Sequence, residues 1–260
     1  MTGTDRKRGL IVQPRDMRLL CELAVMRVID REQAKIVAGF GSTTRANTRL
    51  LALTRAGLLR RFFLSGGKCL YALSEKGAQS AGVPFRGPHR RTEETLVADF
   101  FVEHQLAIND VYCALKCRVV PIAGVSFRRW LAFQESVTKN LRLIPDGYVE
   151  FVTPREILGA FLEVDLGHER GPVWQEKARN YVQLALSEDF ERRFGTKRFR
   201  VLVLAHSERR LRSLQKTVGA ITQKIFWFAT LGAVHDQGFF APVWYRPTGE
   251  TTTHLIEEHQ

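Results

Sequence analysis

The chain has 260 residues, 45% of them hydrophobic and 25% charged, which is the composition of a soluble globular protein with room for a sizeable core. No apolar run approaches the ~18 residues of a membrane span, and no apolar segment follows the basic stretch Met1 to Arg8 as in a signal peptide. Four cysteines without paired spacing argue against a disulfide framework and a zinc site, so the expectation is a reduced, cytoplasmic protein. Lys and Arg number 39 against 27 Asp and Glu, a net charge of +12. That excess is local: residues 1–92 hold 18 basic and 6 acidic side chains, and residues 93–260 hold 21 of each. A domain-sized region this basic usually meets a polyanion, since each Lys or Arg that neutralises a phosphate releases condensed counterions, and the competing reading is a highly soluble surface.

Pro14 suits a first helical turn, and Met17, Leu20, Cys21, Ala24, Val25 and Val28 follow at helical spacing. Asp30 can cap a short second helix through Ala34, Ile36 and Val37, and a turn from Gly39 to Ser42 leads into a third from Thr43 to about Ala56. The third helix carries an apolar stripe of Ala46, Leu50, Leu53 and Gly57, with Thr44, Arg45, Thr48, Arg49 and Ala52 on its other faces. Leu58 to Leu64 and Lys68 to Leu73 flank Ser65-Gly66-Gly67, a hairpin with a glycine turn. Three helices closed by a β-ribbon make a winged-helix domain over residues 1–85, with the third helix as the one that enters the major groove of double-stranded DNA. Thr44, Arg45, Thr48 and Arg49 would meet base edges or phosphates there, while Arg60, Arg61 and Lys68 on the wing would grip the flanking backbone. The competing reading of Arg45 and Arg49 is a solvated helix face.

The glycine, proline and charge of residues 86–92 read as a linker, and the C-terminal domain covers 93–246. A long amphipathic helix is expected from Glu93 to Leu115, then strands at Val119 to Phe127, Leu143 to Val152 and Ala160 to Leu166. A helix from Gly171 to about Leu186, a strand from Phe199 to Ala205, a long helix from Ser207 to Thr230 and a short strand from Phe239 to Tyr245 complete it. The fold class is therefore α+β, a winged helix followed by an α/β sandwich with a mixed sheet. Residues 247–260 read as a loosely held polar tail.

Asp146 follows Pro145 in one expected strand, and Glu163 and Asp165 occupy the next. Residues two apart in a strand share a face, so Glu163 and Asp165 project together, and Asp146 can approach Glu163 if the strands pair. Converging carboxylates are what a hard divalent cation takes, and Asp146 and Glu163 are its candidate ligands. Such an ion could polarise a scissile phosphate and activate water.

Pro145-Asp146 followed by Glu163-Val164-Asp165 resembles the PD-(D/E)XK nuclease-like superfamily. The chain from about residue 10 to 185 also resembles the replication-relaxation family of plasmids and other mobile elements. That resemblance rests on Arg15-Asp16, Arg49-Leu50, Leu53, Gly57-Leu58-Leu59, Tyr71-Ala72-Leu73-Ser74 and Gly77. It continues with His104-Gln105-Leu106, Asn109-Asp110, Pro145-Asp146-Gly147, Phe161 to Asp165, Lys177 and Tyr181. It implies DNA binding linked to plasmid maintenance or transfer. The nuclease pattern wants Lys two positions after the Glu, where this chain has Asp165, and Lys177 on the following helix could supply the ammonium instead.

Besides a protein-docking adaptor for a relaxase or replication initiator, two functions stay open. One is a cytoplasmic, nucleoid- or plasmid-associated DNA-binding protein that controls replication, transfer or transcription, as a homodimer, with the C-terminal domain used for dimerisation or for docking a replication or transfer protein. The other is an endonuclease dependent on Mg²⁺ or Mn²⁺, with Asp146, Glu163, Asp165 and Lys177 as its catalytic set. No membrane partner is expected, because no basic helix with a large apolar face is evident.

Overall fold

The computed structural model describes residues 10–85 and 95–256, with the backbone alone for 95–99. The chain divides into two compact units, residues 1–113 and 114–260.

In the first unit α1 (Pro14–Met26) leads through β1 (Val28–Asp30) to α2 (Arg31–Ala38) and α3 (Thr43–Arg55). The hairpin β2 (Leu59–Phe63) and β3 (Cys69–Leu73) follows, then α4 (Glu75–Ala81) and α5 (Thr95–Lys116). Local chemistry starts each early helix: Pro14 in the first turn of α1, and Asp30 and Ser42 accepting from the backbone N–H groups of Gln33 and Arg45. Leu19, Leu20 and Leu23 of α1, Ala34 and Val37 of α2, and Ala46, Leu50 and Leu53 of α3 are buried. β3 lies between β1 and β2 in an antiparallel three-stranded sheet. The expected three helices and hairpin are thus present.

Val28, read as the end of the first helix, instead begins β1. Arg27 turns the chain there with a positive φ of 64°, which ends α1 at Met26. α4 was not anticipated. It is capped by Ser74, whose Oγ accepts from the Gly77 N–H at 2.8 Å, and a Cβ on Gly77 would lie 2.1 Å from the carbonyl oxygen of Leu58. Only glycine permits that approach of helix to hairpin.

The first unit runs beyond the linker read at 86–92, which lies outside the described residues. Its extension is α5, held by hydrogen bonds that no spacing in the sequence announces. Asn109 Nδ2 donates to the carbonyls of Met26 and Val28 at 3.1 and 2.6 Å, and Gln33 Nε2 donates to the carbonyl of Leu106 at 2.9 Å.

The second unit contains β4 (Ser126–Leu131), β5 (Gly147–Val152), β6 (Ile157–Asp165), α6 (Gly171–Leu186) and α7 (Asp189–Phe194). β7 (Phe199–Ala205), α8 (Glu208–Gly219), β8 (Phe226–Thr230), α9 (Leu231–Gln237), β9 (Trp244–Tyr245) and β10 (Thr252–Thr253) follow. The sheet is mixed, in the order β10-β9-β8-β7-β6-β5-β4, with β6, β7 and β8 parallel and the outer pairs antiparallel. Phe161, Val201, Val203, Phe226 and Phe228 on one face pack with Trp174, Ala178 and Tyr181 of α6 and Leu211, Leu214 and Val218 of α8.

Three expectations are corrected here. The strand read at Val119 to Phe127 begins at Ser126, because pairing with β5 rather than local hydrophobicity sets its limits. The helix read from Ser207 to Thr230 ends at Gly219, and its last five residues are β8. A short apolar run buried in a parallel sheet has no alternation, so periodicity cannot separate it from a buried helix. The tail read as loosely held supplies β10, pairs with β9 and buries Leu255.

Candidate functional site

The β5–β6 register pairs Gly147 with Leu162, which sets Asp146 one step past the last pair and across from Glu163. The Asp146 N–H donates to the Leu162 carbonyl at 3.1 Å, and its Oδ2 accepts from the Val164 N–H at 2.7 Å. The expected approach of Asp146 to Glu163 therefore follows from strand pairing.

Glu163 and Asp165, 1% and 2% exposed, point to the face that α6 and α8 cover. Tyr181 Oη donates to Glu163 Oε1 at 2.6 Å, and Lys177 Nζ donates to Glu163 Oε2 at 2.9 Å. Lys177 and Tyr181 are four apart on α6, so one helix face delivers both. Lys177 also reaches Glu169 at 2.8 Å and lies 5.1 Å from the centre of the Trp174 ring. Asp165 is enclosed more tightly. Arg210 of α8 grips it with Nε to Oδ1 at 2.7 Å and Nη2 to Oδ2 at 2.8 Å, while Trp174 Nε1 and the Gly167 N–H each donate at 2.7 Å.

These contacts set the charges. Burial pushes the Glu163 carboxyl up to about 7, against the pull of the Lys177 ammonium and with a further push from Asp146. Burial also works against the charge on Lys177, but Glu163 and Glu169 outweigh it and hold the ammonium more firmly protonated than usual. For Asp165 burial opposes ionisation, and the hydrogen bonds from Arg210 and Trp174 overcome it, keeping the carboxyl below its ordinary range. Burial and the neighbouring Glu163 raise the Tyr181 phenol well above its usual value.

A nuclease-like reading implies a divalent cation, and the residues as placed do not fit one. Both Glu163 oxygens and both Asp165 oxygens already accept from protein donors, and Asp146 Oδ2 accepts from backbone. Mg²⁺ needs a near-octahedral oxygen shell and keeps several waters. Among the described residues no group of three or more His, Cys, Asp or Glu side chains is arranged to hold a metal.

The second candidate surface lies on α3 and the hairpin. Thr44, Arg45 and Thr48 are exposed, as are Arg60 and Arg61. The Arg61 guanidinium lies 5.2 Å from the centre of the half-exposed Phe63 ring. Lys68 Nζ reaches Asp30 at 2.7 Å, so this wing cation is partly committed to the α2 cap. Arg49 behaves differently. Its Nε donates to Asp16 Oδ1 at 2.9 Å, its Nη2 reaches the other Asp16 oxygen and the Ile11 carbonyl, and Asp16 has no exposed surface. The hydrogen bond and charge of Arg49 outweigh burial and lower the Asp16 carboxyl, in an internal tie between α1 and α3.

Two partners escaped the sequence reading. Arg210 lies 45 residues from Asp165 and Glu169 sits in the loop after β6, and neither carries a local signal. Asp16 carries no sequence signal beyond its place in a motif, and the i,i+4 spacing of Arg45 and Arg49 points to one face where the fold makes two.

A family model described as Replication-relaxation matches residues 17–198. No curated protein matches the chain. Among solved structures, restriction endonuclease FokI is similar at 11% identity and a TM-score of 0.33, covering 86% of this chain and 43% of that one. FokI bound to DNA is similar at 12% identity and a TM-score of 0.35, covering 86% and 44%. The chain thus spans less than half the length of either FokI chain.

Proposed function

The chain belongs to the replication-relaxation family, and from that premise we propose that it is a sequence-specific DNA-binding protein of a plasmid or other mobile element, controlling replication, transfer or transcription. The observation that carries this reading is the exposed row Thr44, Arg45 and Thr48 on α3, beside Arg60 and Arg61 on the hairpin, in the region that holds the whole net charge of +12. Read as a winged helix, the first unit sets α3 in the major groove and the hairpin against the flanking backbone. The hydroxyls and guanidinium of that row can bond base edges, and the wing cations can bond phosphates. A homodimer on paired half-sites suits this mode, with the second unit as the dimerisation surface or as a dock for a replication or transfer protein. No helix among the described residues is long and apolar enough to cross a membrane.

The metal-dependent endonuclease reading keeps one supporting observation, the contact of Lys177 with Glu163 at 2.9 Å. The occupied oxygens of Glu163 and Asp165 weigh against it.

Fluorescence anisotropy with labelled duplexes from the element, and with shuffled ones, tests the binding reading on the full chain. The affinity is expected to fall linearly on a log scale as salt rises, and to favour element DNA. The triple variant Thr44→Ala/Arg45→Ala/Thr48→Ala is expected to lose that preference. Equal affinity for wild type and variant on both duplexes would sink the assignment, and Mg²⁺-dependent strand cleavage in the same tubes would favour the endonuclease.

A further inference from the structure

We propose that Lys177 and Arg210 are the resident cations of the carboxylate cluster at the end of β6, standing where a divalent ion would otherwise be needed, so that this centre is a metal-independent ion-pair lock. The proposal does not rest on the DNA-binding reading.

Glu163, Asp165 and Glu169 lie on β6 and the loop after it, and Asp146 faces Glu163 from the end of β5. Gathered carboxylates repel one another and require a counter-charge, which the protein supplies from its own helices. Lys177 Nζ lies 2.9 Å from Glu163 Oε2 and 2.8 Å from Glu169 Oε1, a cation bridging two carboxylates. The ammonium also sits 5.1 Å from the centre of the Trp174 ring, on the same face of α6. Arg210 pairs with Asp165 in fork geometry and also donates to the Glu169 carbonyl.

Shape reinforces this. Tyr181 takes the Glu163 oxygen that Lys177 leaves over, and Trp174 shares Asp165 Oδ2 with Arg210. A bound Mg²⁺ would need those oxygens and room for its waters, and Glu163 is 1% exposed beneath α6. An ammonium needs neither, because three N–H donors spread over two carboxylates satisfy it. The consequence is mechanical: the lock ties β6, the following loop, α6 and α8 into one body. Removing the ammonium leaves Glu163 and Glu169 without the cation they share.

Electron paramagnetic resonance of Mn²⁺ titrated into the full chain tests this without any activity measurement. The wild-type protein is expected to leave the free Mn²⁺ signal as it is in buffer. Lys177→Met is expected to leave the signal unchanged too, since no three acidic side chains among the described residues are arranged to hold a metal, and to lower the urea midpoint, with near-ultraviolet circular dichroism confirming the fold without denaturant. Uptake of one equivalent by the wild type, abolished by Asp146→Asn, would overturn the proposal. So would a folded Lys177→Met chain with an unchanged urea midpoint. If Lys177→Met does not fold, the wild-type titration with its Asp146→Asn control decides alone.

Discussion

On α3, Arg45 projects into solvent with Thr44 and Thr48 beside it, whereas at the end of β6 Lys177 and Arg210 are spent on carboxylates inside the protein. Both regions are rich in basic side chains, and a charge count along the chain treats them alike. The difference lies in whether a buried acid stands opposite. Arg49 shows this within a single helix, since one turn beyond Arg45 it meets the buried Asp16 and is half-buried in an ion pair. A cation facing solvent remains available to a partner and contributes little to stability. A cation facing a buried carboxylate stabilises the fold, because its loss strands a charge in a medium of low polarity.

The sharpest way to break this comparison is Arg210→Ala. It leaves Asp165 buried without its fork, and the expected cost is about 3–5 kcal/mol in urea unfolding. Arg210→Lys is expected to recover only part of this, because an ammonium cannot donate in parallel to both carboxylate oxygens. A loss under ~0.5 kcal/mol, the range of ordinary surface substitutions, would place Asp165 among solvated groups. Arg49→Ala is expected to cost about 3 kcal/mol, at the low end of the same range, because the Gln13 N–H still donates to Asp16.

Next in size is a pH effect. The Glu163 carboxyl is raised in the folded chain from 4.5 to about 7, chiefly by burial. Its contribution to stability is complete below about 4.5, where folded and unfolded chains both hold the proton. It drains away between about 4.5 and 7, as the unfolded chain ionises first, and is gone above that. Glu163→Gln is expected to remove a fall on the order of 1–3 kcal/mol across that window, visible as a flatter plot of unfolding free energy against pH. Parallel plots for wild type and variant would show that Glu163 titrates normally.

How much of this could be read beforehand follows the range of the interactions. β7 and α6 appear over the same residues as expected, and the Asp30 cap and the glycine hairpin are where local chemistry puts them. β8 was hidden inside an expected helix, because Phe226 to Thr230 are apolar at nearly every position and only neighbouring strands decide their state. The site divides in the same way. The alternation of Glu163 and Asp165 and the approach of Asp146 follow from strand geometry, and Lys177 follows from helix spacing. Arg210 and the pairing of Arg49 with Asp16 depend on elements brought together by folding, across 45 and 33 residues.

The smallest effect on stability bears most on function. Arg45→Ala removes an exposed side chain, so the unfolding free energy is expected to stay within about 0.5 kcal/mol of wild type. DNA affinity is expected to fall nonetheless, with the salt slope reduced by about one if the guanidinium neutralises one phosphate, or with relaxed preference at one position if it reads a base. Arg49→Ala is the contrasting control. At a temperature where it remains folded, its salt slope should match the wild type, since its charge is already compensated by Asp16. If instead Arg49→Ala lowers the salt slope and Arg45→Ala leaves it unchanged, then the α1–α3 tie opens on DNA and Asp16, rather than solvent exposure, governs which arginine reaches the phosphates.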